Sequence, residues 1–193
     1  MEIRLYLLSG VPGSGKSFWA KNCIEADEDA IHLSRDELRK NLRVIFQRDA
    51  YYFPVDNKLE YRFWINYVAN EILEAPFSNF IIDQTTLGNT QVIKFLKALR
   101  EMLLTLCPHL DDITFNVTIY RFATPLEECI QRNSRREGFE KVPVDVIMNM
   151  ANMNKPDRSL KYDKTIMPSV TYLDIIEVNG YDESEPEVII NGK

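Results

Sequence analysis

The sequence predicts an α/β domain built on a central parallel five-stranded sheet with helices on both faces. Three observations carry this prediction. Apolar strand-like segments alternate with segments of helical period along the chain. The first of those strands runs straight into a glycine-rich loop that opens a helix, in LYLLSGVPGSGKSFWAKN at residues 5–22. A later apolar strand, FIID, ends on Asp83, and the carboxyl ends of parallel strands are where an open α/β sheet keeps its ligand crevice.

The elements follow in order. Residues 3–9, IRLYLLS, make the first strand, and the glycine loop and first helix come next. AIHLS at 30–34 is a short second strand. A helix starts at RDELRKNL, where Ser34 and Glu37 have the spacing of a capping box. After the aromatic loop YYFPVDNK, LEYRFWINYVANEILEA reads as a helix with a broad apolar face. NFIIDQ is the third strand. Val92, Leu96, Leu99, Leu103 and Leu106 recur at steps of four and three, which predicts a helix that stops before Pro108. ITFNVTIYRF is the fourth strand. Thr124 to Glu127 has the form of a second capping box, with Pro125 at the first helical position of LEECIQRNSRR. GFEKVP connects that helix to VDVIMNMANMNK, whose face carries Val146, Ile147, Met150 and Ala151. TYLDIIEV at 171–178 is the fifth strand. One domain is expected over residues 1–179, followed by an acidic tail at 180–193.

Composition narrows the classes of function. The 193 residues are 45% hydrophobic and 27% charged, ordinary for a globular protein with a real core. No apolar run approaches the ~18 residues of a membrane span, and the start MEIRLYLLSG lacks the features of a secretory signal. Cys23, Cys107 and Cys129 are scattered, and with only His32 and His109 beside them no zinc cluster is expected. All three read as buried thiols of a reducing compartment. A net charge of −6 argues against a general nucleic-acid coat but leaves room for a local basic site.

Gly10, Gly15, Lys16 and Ser17 fit the pattern G-x-x-x-x-G-K-[ST] of a phosphate-binding loop, or P-loop. Gly10, Gly13, Ser14 and Gly15 let backbone N–H groups turn inward around phosphate oxygens. The helix that follows presents its amino end to the same anion. Lys16 can reach the β- and γ-phosphates, and the Ser17 hydroxyl can ligate Mg²⁺. ATP and Mg²⁺ are the expected cofactors.

The other polar constellations allow two readings each. Asp36 can take a proton from an attacking hydroxyl, or simply complement a helix dipole. Arg39, three residues on, can clamp an acceptor phosphate or pair with Asp36. Asp83 can hold Mg²⁺ through water, bind acceptor, or order its loop, with Gln84, Thr85 and Thr86 at the same edge. Arg132, Arg135 and Arg136 share one side of a helix at their spacing. Beside REGFEKVP they suit a lid over residues 132–143 that closes on transferring phosphate, or a solvated face. Tyr51, Tyr52 and Phe53 can stack a base or pack the loop.

These residues resemble the kinase domain of phage-type polynucleotide 5′-hydroxyl kinases. GVPGSGKSFWAK is similar to that family's P-loop, LSRDELRKNL to its acceptor-side helix start, and RNSRREGFEKVPVDVIMNM to its lid and following helix. The likeness spans about Ile3 to Met153, and its last stretch is the most specific. It implies a P-loop kinase fold with strand order 2-3-1-4-5, a cytoplasmic location (the host's, for a viral source), and transfer of the ATP γ-phosphate to a 5′-hydroxyl end of DNA or RNA. Lys16 and Ser17 match the P-loop lysine and the Mg²⁺-side hydroxyl, Asp36 the general base, and Arg39 the arginine on acceptor phosphate. Arg136 matches the lid arginine on the transferring phosphate, and Arg132 another lid position. Where the phage enzyme reads Ile-Ser-Asp-Thr-Asn and other members Asp-Asn-Thr-Asn, this chain reads Ile82-Asp83-Gln84-Thr85-Thr86. No DxDGT-type motif of the fused 3′-phosphatase is present, and the acidic tail has no counterpart. Two other functions fit the same residues: a kinase of another hydroxyl acceptor, such as a modified base, nucleoside or metabolite, and a non-catalytic ATP-binding adaptor.

Overall fold

β1 (Glu2–Ser9) lies at the centre of the sheet, between β3 (Asn79–Asp83) and β4 (Thr114–Phe122), and its apolar run explains why. Leu5, Leu7 and Leu8 have no exposed surface, and only a strand covered on both faces buries consecutive residues. β2 (Ala30–Ser34) flanks β3, and β5 (Val170–Val178) flanks β4. All four pairings are parallel, in the order β2-β3-β1-β4-β5. That is the five-stranded α/β sheet and the strand order expected from the sequence. The computed structural model describes residues 1–45, 57–85, 88–110, 112–153, 159–160 and 169–178. Tyr51, Tyr52, Phe53, Thr86 and the tail lie outside these residues.

Successive side chains of a strand face opposite sides of the sheet, and β3 uses both. Phe80 and Ile82 join the larger core with Trp64, Val68 and Ile72 of α3 (Asn57–Glu74) and Val92, Leu96, Leu99 and Leu103 of α4 (Asn89–Leu106). Ile81 joins the smaller core on the other face with Trp19, Ala20 and Cys23 of α1 (Lys16–Ala26). Helices therefore cover both faces. The periodic leucines of α4 fall inward as expected except Leu106, which is exposed at its last position. No helix among the described residues is long and apolar enough to cross a membrane.

Cys23 and Cys129 are buried free thiols, and burial pushes Cys23 up to about 12. Cys107, expected to be buried, is only partly so, because it caps the exposed end of α4.

The second capping box does not form. α5 (Leu126–Ser134) begins one residue later than expected, with Pro125 as its N-cap and no side-chain cap bond. The Thr124 hydroxyl instead donates to the Ser14 carbonyl of the glycine loop at 2.9 Å. A buried carbonyl that water cannot reach is a more demanding partner than a helix end. The first capping box is half realised: the Glu37 N–H donates to Ser34 Oγ at 3.3 Å as α2 (Arg35–Ile45) begins.

Candidate active site

The glycine loop sits at the carboxyl end of β1, where the strand order switches from β3 on one side to β4 on the other. Gly13 has φ +85°, and a Cβ there would stand 2.4 Å from the Cys129 carbonyl of α5, so no other residue fits. Ser14 is buried beneath the loop. Lys16 folds back over it, donating to the Gly10 and Val11 carbonyls at 2.9 and 3.0 Å. Burial pushes the Lys16 ammonium below its ordinary range, while the charges of Asp83 and Asp36 oppose that and Arg136 adds to it. Lys16 thus lies within electrostatic reach of three predicted site residues on three different segments.

Asp83 shares the α1 side of β3 with Ile81, and its carboxylate accepts a side-chain bond from Ser17. It also accepts from His32 Nε2 at 3.3 Å, from the adjoining β2. Burial raises the Asp83 carboxyl, but His32, Lys16 and Ser17 outweigh it and hold the group below its ordinary range. A hydroxyl beside an ionised carboxylate is a hard oxygen pair that fits Mg²⁺. Gln84, next along, faces the opposite side and packs on α3, where its Oε1 accepts from Trp64 Nε1 at 2.8 Å. Thr85 follows, partly buried.

Asp36 and Arg39 stand in the first turns of α2. Asp36 is 61% exposed, and Arg39 Nη1 donates to its Oδ1 at 3.1 Å. Behind them lies Glu60 of α3, 2% exposed, which accepts from Arg39 Nε at 3.1 Å and Arg35 Nε at 2.9 Å. The sequence reading missed Glu60, His32 and Trp64. The signal for Glu60 was present: it continues the Trp64, Val68, Ile72 stripe by one more step of four, so a carboxylate occupies a core position, and such a group needs cationic partners.

Burial raises the Glu60 carboxyl, yet the two guanidinium groups win and hold it below the ordinary 4.5. A depressed carboxyl contributes stability above its unfolded value and loses it as pH falls through the folded one. Glu60→Gln is therefore expected to cost about 2–3 kcal/mol at pH 7. In urea titrations the gap from the wild type should persist at neutral pH and close as pH drops below 4.5.

The arginines do not share one helix as expected. α5 stops at Ser134, so Arg132 remains helical and pairs with Glu128 at 2.6 Å, Arg135 is the C-cap, and Arg136 lies in the turn beyond. The connection beyond α5 has structure of its own. A 3-10 turn spans Gly138–Glu140 before α6 (Val144–Ala151). Asn133, buried, donates to the Val142 carbonyl at 2.7 Å and accepts from the Val142 N–H at 2.9 Å. This pair closes residues 134–141 into a defined loop. Asn133→Ala leaves both backbone groups of Val142 without their partner, and is expected to lower stability by between about 1 and 3 kcal/mol for each, read in urea unfolding. Lys40 of α2 donates to Glu140 at 2.9 Å, joining this loop to the helix that bears Asp36.

Residues 5–156 match the model of an AAA domain family. Among solved structures, a fungal RNA kinase superposes with a TM-score of 0.57 at 12% identity, over 96% of this chain and 78% of the other. Kti12 of Chaetomium thermophilum, in complex with ADP-AlF3, gives 0.56 at 14% identity, over 90% and 88%. A sugar kinase from Janibacter sp. HTCC2649 gives 0.54 at 16% identity, over 95% and 87%. At such identities the likeness is one of fold.

Proposed function

The chain belongs to this AAA domain family and has the fold of P-loop kinases, and from that premise we propose that it is an ATP-dependent polynucleotide 5′-hydroxyl kinase. The observation that carries the reading is the phosphate loop at the carboxyl end of β1, with Lys16 held by the Gly10 and Val11 carbonyls, Ser17 bonded to Asp83 of β3, and Asp36 paired with Arg39 at the start of α2. A phosphoryl donor, a proton acceptor and a charge clamp are the three parts an in-line transfer requires. The resemblance of LSRDELRKNL and RNSRREGFEKVP to the polynucleotide kinases supports a nucleic-acid end as acceptor. So does the RNA kinase among the structural neighbours.

In this reading the Lys16 ammonium leaves the Gly10 and Val11 carbonyls for the β- and γ-phosphate oxygens of ATP. Gly10, Gly13, Ser14 and Gly15 supply the N–H groups around them. Ser17, and Asp83 through water, would hold Mg²⁺, which neutralises charge on the β- and γ-oxygens when bound. Arg39 and Glu60 fix Asp36, whose carboxylate takes the proton of the attacking 5′-hydroxyl. Arg136, with Arg132 as a second lid arginine, meets the charge that spreads over the transferring phosphoryl oxygens. Arg39, Gln84 and Thr85 face the acceptor.

A kinase of a small hydroxyl compound is the second reading, favoured by Gln84 at the acceptor edge and by the −6 net charge. Salt separates the two. A polynucleotide should bind with a Kd that rises steeply as salt increases, because counterions are released on binding. A flat salt response in a fluorescence titration with a labelled 5′-hydroxyl oligonucleotide would favour the small acceptor.

A further inference from the structure

His32 takes no part in the transfer described above, yet its Nε2 lies 3.3 Å from Asp83 Oδ2, with the two side chains 13% and 7% exposed. An ionised carboxylate only accepts, so Nε2 is a ring nitrogen that carries a proton. Strand register explains the contact. Ser34 of β2 pairs with Asp83 of β3, and His32 pairs with Ile81. Paired residues of neighbouring strands face the same side, and successive ones alternate. His32, Ser34 and Asp83 therefore stand together on the α1 side, while Leu33 enters the larger core on the other. Ala30 and Ile81, the neighbours of His32 on that side, pack in the smaller apolar core. An imidazole placed there needs a polar partner, and Asp83 supplies it.

The bond fixes a group that matters to the site. Asp83 also accepts from Ser17, so the carboxylate is held by the strand beside it and by the first turn of α1. Burial works against its charge, and His32 is the largest of the influences that oppose burial, ahead of Lys16 and Ser17. Nucleotide changes the balance among those three. In the proposed reaction Lys16 turns to phosphate oxygens and Ser17 to Mg²⁺. His32 belongs to β2 and keeps its place. Donors of this kind, bonded to a ligand group from behind, set its orientation and tune the metal's affinity.

We propose that His32 is a positioning residue for metal binding: its Nε2–H holds the Asp83 carboxylate in the orientation that, with Ser17, receives hydrated Mg²⁺. This rests on the kinase reading above for Mg-nucleotide at the glycine loop, and is indifferent to which hydroxyl accepts the phosphate.

Calorimetry on the full chain tests it. The affinity of a non-hydrolysable ATP analogue is measured with Mg²⁺ and again in EDTA, and the ratio of the two reads the metal's contribution. His32→Leu keeps an apolar fit to the core without a donor. It should lower that ratio by about tenfold or more, with the affinity in EDTA unchanged. His32→Gln returns an N–H donor at similar reach and should restore most of the ratio. A histidine that only supports the fold would move both affinities together and leave the ratio at its wild-type value in His32→Leu, which overturns the proposal. A glutamine variant no better than the leucine one overturns it too. ¹⁵N NMR of the wild-type imidazoles needs no variant, and only His32 and His109 have to be assigned. A proton on His32 Nε2 at neutral pH supports the proposal, and its absence overturns it. Label transfer to a 5′-hydroxyl oligonucleotide, followed in parallel, keeps the two readings apart. A His32-dependent ratio without transfer upholds the proposal and removes the 5′-hydroxyl kinase. Normal transfer with a ratio that ignores His32 does the reverse. No binding of the analogue under either condition removes both.

Discussion

Asp36→Asn is expected to leave ATP binding intact and to slow phosphoryl transfer by about 10²–10⁴-fold, the usual scale for loss of a general base. Asparagine keeps an oxygen for Arg39 Nη1, which now lies 3.1 Å from Asp36 Oδ1. Arg39 is also held independently by Glu60. The change therefore removes proton-accepting power without disturbing the helix. At 61% exposure, Asp36 contributes little to the core, so a stability change within about 0.5 kcal/mol is expected. Single-turnover transfer alongside nucleotide titration separates the two effects. Near-normal turnover would remove Asp36 from the role of base.

Lys16→Met produces the other large effect, and its consequences for activity and stability differ in sign. Removal of the only P-loop cation should lower transfer by about 10³-fold. It should also abolish most of the thermal stabilisation that Mg-ATP gives the wild type, since that gain follows the affinity of the folded state. In the nucleotide-free protein, however, burial holds the Lys16 ammonium below its ordinary range. A lowered lysine value means that the folded state disfavours the charged form, so the cation costs stability at neutral pH. Methionine fills a similar volume without that charge. The nucleotide-free variant should melt no lower than the wild type, and differential scanning fluorimetry with and without Mg-ATP reads both outcomes. A clear drop in the ligand-free melting temperature would mean that the loop carbonyls at Gly10 and Val11 depend on the ammonium more than its burial costs.

What the sequence revealed follows from how local each signal is. The sheet was legible because each strand carries its own apolar run: the predicted 3–9, 30–34 and 171–178 became Glu2–Ser9, Ala30–Ser34 and Val170–Val178. The glycine loop was legible because its geometry demands particular residues, as the Gly13 contact with Cys129 illustrates. Thr124 misled because a capping pattern describes a neighbour in sequence. The hydroxyl found a buried carbonyl 110 positions away. The arginine cluster misled in a related way, since spacing of three and four implies one face only while the helix lasts, and α5 stops at Ser134. Trp64 and His32 became visible only when α3 and β2 were set against β3, whereas the signal for Glu60, a carboxylate on the apolar stripe of α3, was already in the sequence and only its partners on α2 were hidden. Their partners are 20 to 51 residues distant.

The central claim, transfer to a 5′-hydroxyl end, is tested most directly with γ-labelled ATP, Mg²⁺ and a pair of oligonucleotides, one with a free 5′-hydroxyl and one blocked at that end. The account predicts label on the free end alone, lost in Lys16→Ala. Label on the blocked strand, or on neither strand while ATP still binds, would contradict it and move the acceptor to another hydroxyl.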